Sequence, residues 1–228
     1  MDNDDILNLD TVTDFGAIGV GLDDLESEDV TLVTYVIDAS SSMDAHAPDV
    51  IGAFNGEIAA MMGAKTADQL LVSVTTFQDA PTLLFGYQKL ADVPRLDAQT
   101  YRPGGCTALF DATHGALSRL LAYRAMLSDN GVRSRGVVVV LTDGADNASK
   151  RRADEVKGLA SAARADEGVV LAYVGFGADA ATLSAQADAI GFPTVLTTAL
   201  TAAEIRRVLG QVSKSVLRTG TRAQASFF

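Results

Sequence analysis

The sequence predicts an α/β protein. The expected form is a doubly wound, mostly parallel central sheet of about six strands, with one antiparallel edge strand and helices on both faces. Three features predict it. Apolar, β-branched runs recur along the chain, as strands buried on both faces require. Segments with apolar residues at helical spacing alternate with most of them. One pair of strand-like runs is separated by a turn too short to hold a crossover helix.

Val30 to Ile37 (VTLVTYVI) reads as the first strand. Residues 48–63 place Ile51, Phe54, Ile58 and Met61 on one helical face, and Pro48 suits the start of that helix. Leu70 to Phe77 is the second strand and Leu83 to Leu90 the third, joined through Asp79, Ala80 and Pro81 as an antiparallel hairpin. Thr107 to about Arg124 reads as a helix that can bury Leu109, Phe110, Leu117, Leu120 and Leu121. Gly136 to Thr142 (GVVVVLT) is a strand, residues 153–167 a helix, and Val169 to Gly175 (VVLAYVG) the next strand. Residues 179–190 follow as a helix, and Thr194 to Thr197 as a short strand. A final helix starts near Thr201, where Thr201 and Glu204 form a capping box. Ile205, Val208, Leu209, Val212 and Val216 make its apolar stripe.

At 228 residues, 48% apolar and 21% charged, the chain has ordinary globular composition and enough length for a core without covalent staples. The single cysteine, Cys106, excludes an internal disulfide and a cysteine-based zinc site. No apolar run approaches the roughly 20 residues of a membrane span, and residues 1–29 have no apolar signal region. A soluble, cytoplasmic protein without membrane insertion is expected. The net charge of -11 is uneven. Residues 1–29 hold ten acids and no Lys or Arg, whereas the rest holds 19 acids and 18 bases. Nucleic acid is therefore not an expected partner. The basic cluster Lys150-Arg151-Arg152 reads as a solvated turn before a helix. The simplest division is an acidic extension at 1–29, one domain at 30–218 and a tail at 219–228. Apolar residues spaced through the extension, Val20, Leu22 and Leu25 among them, suit packing on the body or docking elsewhere.

In open α/β sheets, ligands sit at the carboxyl ends of the strands, where the strand order reverses. Three loops fall there. Asp38-Ala39-Ser40-Ser41-Ser42 follows the first strand, Asp143-Gly144-Ala145-Asp146-Asn147 follows the Gly136 strand, and Gly104-Gly105-Cys106-Thr107 opens a helix. Asp38, Ser40 and Ser42 alternate, so an extended turn points them to one side. Two carboxylates and three hydroxyls suit a hard cation, Mg²⁺ or Mn²⁺, with Ca²⁺ ranked below them. Taken singly, each of these residues also suits a turn or a helix cap.

Together, D-x-S-x-S at 38–42, the threonine of G-G-C-T and T-D-G at 142–144 resemble the three parts of the metal-ion-dependent adhesion site of von Willebrand factor type A domains. The resemblance covers roughly residues 30–218, and the stretches PGGCTALFDA and LTDGADNAS are similar to small stand-alone bacterial members. It implies a Rossmann-like fold and metal ligation by Asp38, Ser40, Ser42, Thr107 and Asp143, the aspartates binding directly or through water. It also implies a partner protein whose Asp or Glu completes the metal shell. Bacterial relatives often work beside AAA+ ATPases, kinases or phosphatases in stress-response or assembly systems. One departure is Ser41, where the family's commonest motif has glycine.

Other residues near these loops invite plainer readings. Asp146 suits a helix start, Cys106 a buried small side chain, His46 an exposed loop position and His114 a structural role. Enzyme signatures are missing: there is no G-x-S-x-G elbow, no P-loop and no complete dinucleotide fingerprint. A non-enzyme is expected, with metal-dependent hydrolysis a lesser alternative. A second alternative is a metal-independent scaffold that docks through the acidic extension. That extension could also fill the metal site of another copy and give metal-dependent self-association.

Overall fold

The computed structural model describes residues 19–165, 168–177 and 180–198, and beyond these residues 203, 204, 207, 210 and 211. Its strands are β1 (Asp29–Asp38), β2 (Leu70–Phe77), β3 (Pro81–Lys89), β4 (Arg133–Thr142), β5 (Val169–Phe176) and β6 (Thr194–Thr198). Its helices are α1 (Ala47–Met62), α2 (Leu109–Asp129), α3 (Ala153–Ala165) and α4 (Ala180–Ala189). The six strands form one sheet in the order β3-β2-β1-β4-β5-β6. Only the β2–β3 pair is antiparallel. The expected sheet, with its antiparallel edge strand, is therefore the observed one.

Alternation along the strands divides the core. Val33, Tyr35 and Ile37 of β1 pack with Val50, Phe54, Ile58 and Met61 of α1 on one face. Leu32 and Val36 point to the other face and meet Leu117 and Leu120 of α2, Val156 and Leu159 of α3, and Leu183 of α4. Each fully buried Val or Leu contributes about 1.5–3 kcal/mol, so these two layers hold the sheet rigid beneath its loops.

Several bounds shift for physical reasons. The second helix begins at Leu109 rather than Thr107, because Thr107 is bonded into a neighbouring loop. It extends to Asp129 because Leu127 continues the buried stripe and Arg124 bonds the Ser134 carbonyl at 2.9 Å. β4 starts at Arg133, whose guanidinium holds Asp29 at the start of β1. Val20, Leu22 and Leu25 pack against the α2 face of the core. Thr201 and the final stripe (Ile205, Val208, Leu209, Val212, Val216) lie outside the described residues. Among the described residues, no helix is long and apolar enough to cross a membrane.

Candidate metal centre

Strand order reverses between β1 and β4: the chain moves from β1 out to β2 and β3, then returns to the other side. Asp38 is the last residue of β1, and Asp143 follows the last residue of β4. Topology alone thus brings the first and third loops side by side.

Hydrogen bonds fix their geometry. Ser42 Oγ donates to Asp143 Oδ1 at 2.8 Å, and Ser40 Oγ lies 3.1 Å from Ser42 Oγ. Asp38 is fully buried. Its Oδ1 accepts the Ser40 N–H at 2.8 Å and its Oδ2 accepts the Thr142 hydroxyl at 2.5 Å. Burial raises the Asp38 carboxyl above its ordinary value. Hydrogen bonds from Thr142 and Ser40 pull it back, and the Asp143 charge adds to the rise. Tyr101, also buried, donates its hydroxyl to the Asp38 carbonyl at 2.6 Å. Burial first, then the charges of Asp38 and Asp143, hold the Tyr101 phenol far above its ordinary value, so it remains a donor.

The second loop is sewn to both others. Gly104 N–H donates to the Ala39 carbonyl at 2.8 Å. Ser41 places both its N–H, at 3.2 Å, and its Oγ, at 2.8 Å, on the Gly105 carbonyl. The serine that departs from the family's usual glycine therefore adds a bond between loops. On the other side, Thr107 N–H donates to Asn147 Oδ1 at 2.7 Å, and Asn147 N–H returns to the Thr107 carbonyl at 3.0 Å. Thr107 is buried, 5% exposed, between the two. Gly105 has φ +67°, and a Cβ there would meet the Asp79 carboxylate at 2.7 Å. Asp79 in turn accepts the Cys106 N–H at 2.8 Å.

The remaining sequence candidates sort cleanly. Asp146 does serve a helix start, but that of α2: its Oδ2 accepts the Phe110 N–H at 3.0 Å. Asp111 reciprocates by accepting the Lys150 and Arg151 N–H groups at 3.0 and 2.9 Å. Cys106 corrects an expectation. It is exposed rather than buried, because the turn at Gly105 faces it outward and Asp79 holds its backbone N–H. His46 is half-buried rather than exposed, at the end of a short 3₁₀ turn, Ser41–His46. His114 is half-buried, with Nδ1 3.4 Å from Ser118 Oγ. Lys150, Arg151 and Arg152 are exposed, and the two arginines pair with Glu155 and Asp154. Sequence reasoning missed Tyr101 and Asp79 as parts of the site, and it quoted Thr142 within T-D-G without giving its side chain a role. No local motif marks Tyr101 or Asp79, because each acts across a large sequence separation.

The donor chemistry limits what the site can hold. Among the described residues, no group of three or more His, Cys, Asp or Glu side chains gathers. What gathers instead is two carboxylates with hydroxyls, held by bonds among themselves. Such a set fits a hard, oxygen-seeking divalent cation and does not fit one that selects thiolate or imidazole.

The von Willebrand factor type A domain profile matches residues 33–191, more than half of the chain, and the chain belongs to that family. No curated protein matches it. Solved structures share its fold at low identity. The D319A mutant of the PilB minor pilin from Streptococcus sanguinis superposes with a TM-score of 0.63 at 12% identity, covering 86% of this chain and 63% of that one. Proximal thread matrix protein 1 from the mussel byssus, in a structure with a zinc-occupied adhesion-site motif, gives 0.54 at 20% identity, covering 83% and 46%. A von Willebrand factor type A protein from Catenulispora acidiphila gives 0.53 at 15% identity, covering 83% and 43%. The chain spans less than two thirds of each of these.

Proposed function

We propose that this chain is a non-catalytic protein-interaction module that depends on a divalent cation. Asp38, Ser40, Ser42, Thr107 and Asp143 would hold the ion, Mg²⁺ or Mn²⁺, and a partner protein would complete it with an Asp or Glu side chain. The observation that carries this reading is the hydrogen-bonded run Ser40–Ser42–Asp143, which joins oxygen donors of two loops where the strand order reverses. When bound, the cation supplies attraction for a partner's carboxylate oxygen. The residues of this chain set its place. Two carboxylates balance a divalent charge, so a third, incoming carboxylate meets no net repulsion from this pair. Tyr101 and Thr142 hold Asp38 in position, while Asn147 and Ser41 lock the Thr107 loop between the others.

The partner we propose belongs to a bacterial multiprotein stress-response or assembly system, with an AAA+ ATPase, kinase or phosphatase among its components. Affinity capture from the native host tests this, run in Mg²⁺ and in EDTA, with Asp143→Asn as a parallel bait. The expected result is a partner retained by the natural chain in Mg²⁺ only and lost by the variant. Equal retention in EDTA would overturn the cation dependence.

A further inference from the structure

We infer that Asp79, in the turn of the β2–β3 hairpin, is a positioning residue for the cation. It acts through the Thr107 loop and does not touch the ion. This rests on reading Asp38, Ser40, Ser42, Thr107 and Asp143 as a cation site. The bonds made by successive amides carry the inference. Cys106 N–H donates to Asp79 Oδ1 at 2.8 Å, Thr107 N–H to Asn147 Oδ1 at 2.7 Å, and Ala108 N–H to the Gln78 carbonyl at 2.7 Å. The hairpin turn therefore grips the residue on either side of Thr107, and the loop after β4 grips Thr107 itself. Among the acceptors of these amides, Asp79 is the one side chain outside the three site loops.

Strand pairing puts the turn there. Phe77, the last residue of β2, pairs with Asp38, the last of β1, and the Phe77 carbonyl accepts the Ala39 N–H at 2.8 Å. Gln78 Nε2 donates to the Arg102 carbonyl, so the turn holds the second loop near both its ends. Gly105 is shaped for the contact. Its φ of +67° turns the chain, and its missing side chain leaves the space that the Asp79 carboxylate fills.

The grip matters for what it leaves free. It holds the backbone of residues 106–108, while the Thr107 hydroxyl makes no hydrogen bond among the described residues. Once that backbone is fixed, the hydroxyl oxygen has only staggered rotamers to choose from. A looser loop would have to be ordered each time a cation bound, at a cost in affinity. The role asks Asp79 only to accept a hydrogen bond, which an asparagine Oδ1 also does.

The test titrates Mn²⁺ into the full chain, with free ion read by electron paramagnetic resonance. The proteins are the natural chain, Thr107→Ala, Asp79→Ala, Asp79→Asn and the double variant Asp79→Ala with Thr107→Ala. Asp79 is exposed, so its variants should keep the cooperative unfolding of the natural chain in EDTA. Asp79→Ala should weaken Mn²⁺ binding about tenfold or more, as loss of a group that orients a metal ligand does. Asp79→Asn should recover most of that loss. With Thr107 already alanine, Asp79→Ala should change the affinity by less than about twofold, because the oxygen it positions is gone. An unchanged affinity in Asp79→Ala would overturn the inference and leave the cation site standing. So would a full loss repeated on top of Thr107→Ala, since Asp79 would then act on the ion by another route. Asp79→Asn as weak as Asp79→Ala would overturn it too, because the charge and not the bond would be what counts. If the natural chain binds no Mn²⁺, the cation reading fails, and this inference with it.

Discussion

Replacing Glu57 by glutamine should remove a stability cost that grows as pH rises. Glu57 lies on α1 and is 4% exposed, with Oε1 buried and without a hydrogen-bond partner. The buried hydroxyl of nearby Tyr35 also lacks one. Burial pushes the Glu57 carboxyl from 4.5 up to about 7. The folded chain therefore holds a proton more tightly than the unfolded chain. Stability from this group is full below about pH 4.5 and is lost as pH rises through about 7. A shift of about 2.5 units at about 1.4 kcal/mol each makes the loss about 3 kcal/mol. Urea unfolding of the natural chain and Glu57→Gln, side by side from pH 5 to pH 8, reads this directly. The difference between them should grow by about 2–3 kcal/mol over that range, with the variant favoured at high pH. A difference that stays flat with pH would mean that Glu57 finds water or a cation in the folded chain, and would refute the argument.

Asp146→Ala should cost about 1–2 kcal/mol by removing the cap on Phe110 and the bond to Ser149, seen as a lower urea midpoint at unchanged slope. Gly105→Ala should cost about 1–3 kcal/mol, because it combines a positive φ with a clash against Asp79, and crystallography of the variant should show the 104–107 loop displaced. Arg133→Gln breaks a two-pronged but exposed pair with Asp29, so the thermal midpoint should barely move, and in high salt it should not move at all.

The sheet was readable because its strands are rich in apolar and β-branched residues and helices alternate with most of them. The hairpin was readable because three turn residues leave no room for a crossover. Asp38, Ser40 and Ser42 lie within five positions of one another and Asp143 directly follows a strand, and strand topology then brings the two loops together. What the sequence hid depends on contacts between distant residues. Asp146 was expected to start a helix, and it does, but the helix is the earlier α2, reached only once β4 lies beside β1. Cys106 resembles a core residue by type, yet the turn at Gly105 and the hold of Asp79 face it outward. Tyr101 has no motif at all, and its bond to the Asp38 carbonyl spans 63 positions.

Thermal unfolding with and without Mg²⁺, on the natural chain, Ser42→Ala and Asp143→Asn, tests the cation site most directly. A ligand at about 100 times its dissociation constant adds about 2.7 kcal/mol to the folded state. For a domain of this size that raises Tm by about 5–10 °C. The natural chain should show this rise, reversed by EDTA, and Asp143→Asn should lose it while keeping its cooperative transition. A natural chain with the same Tm in saturating Mg²⁺, saturating Mn²⁺ and EDTA would contradict the account.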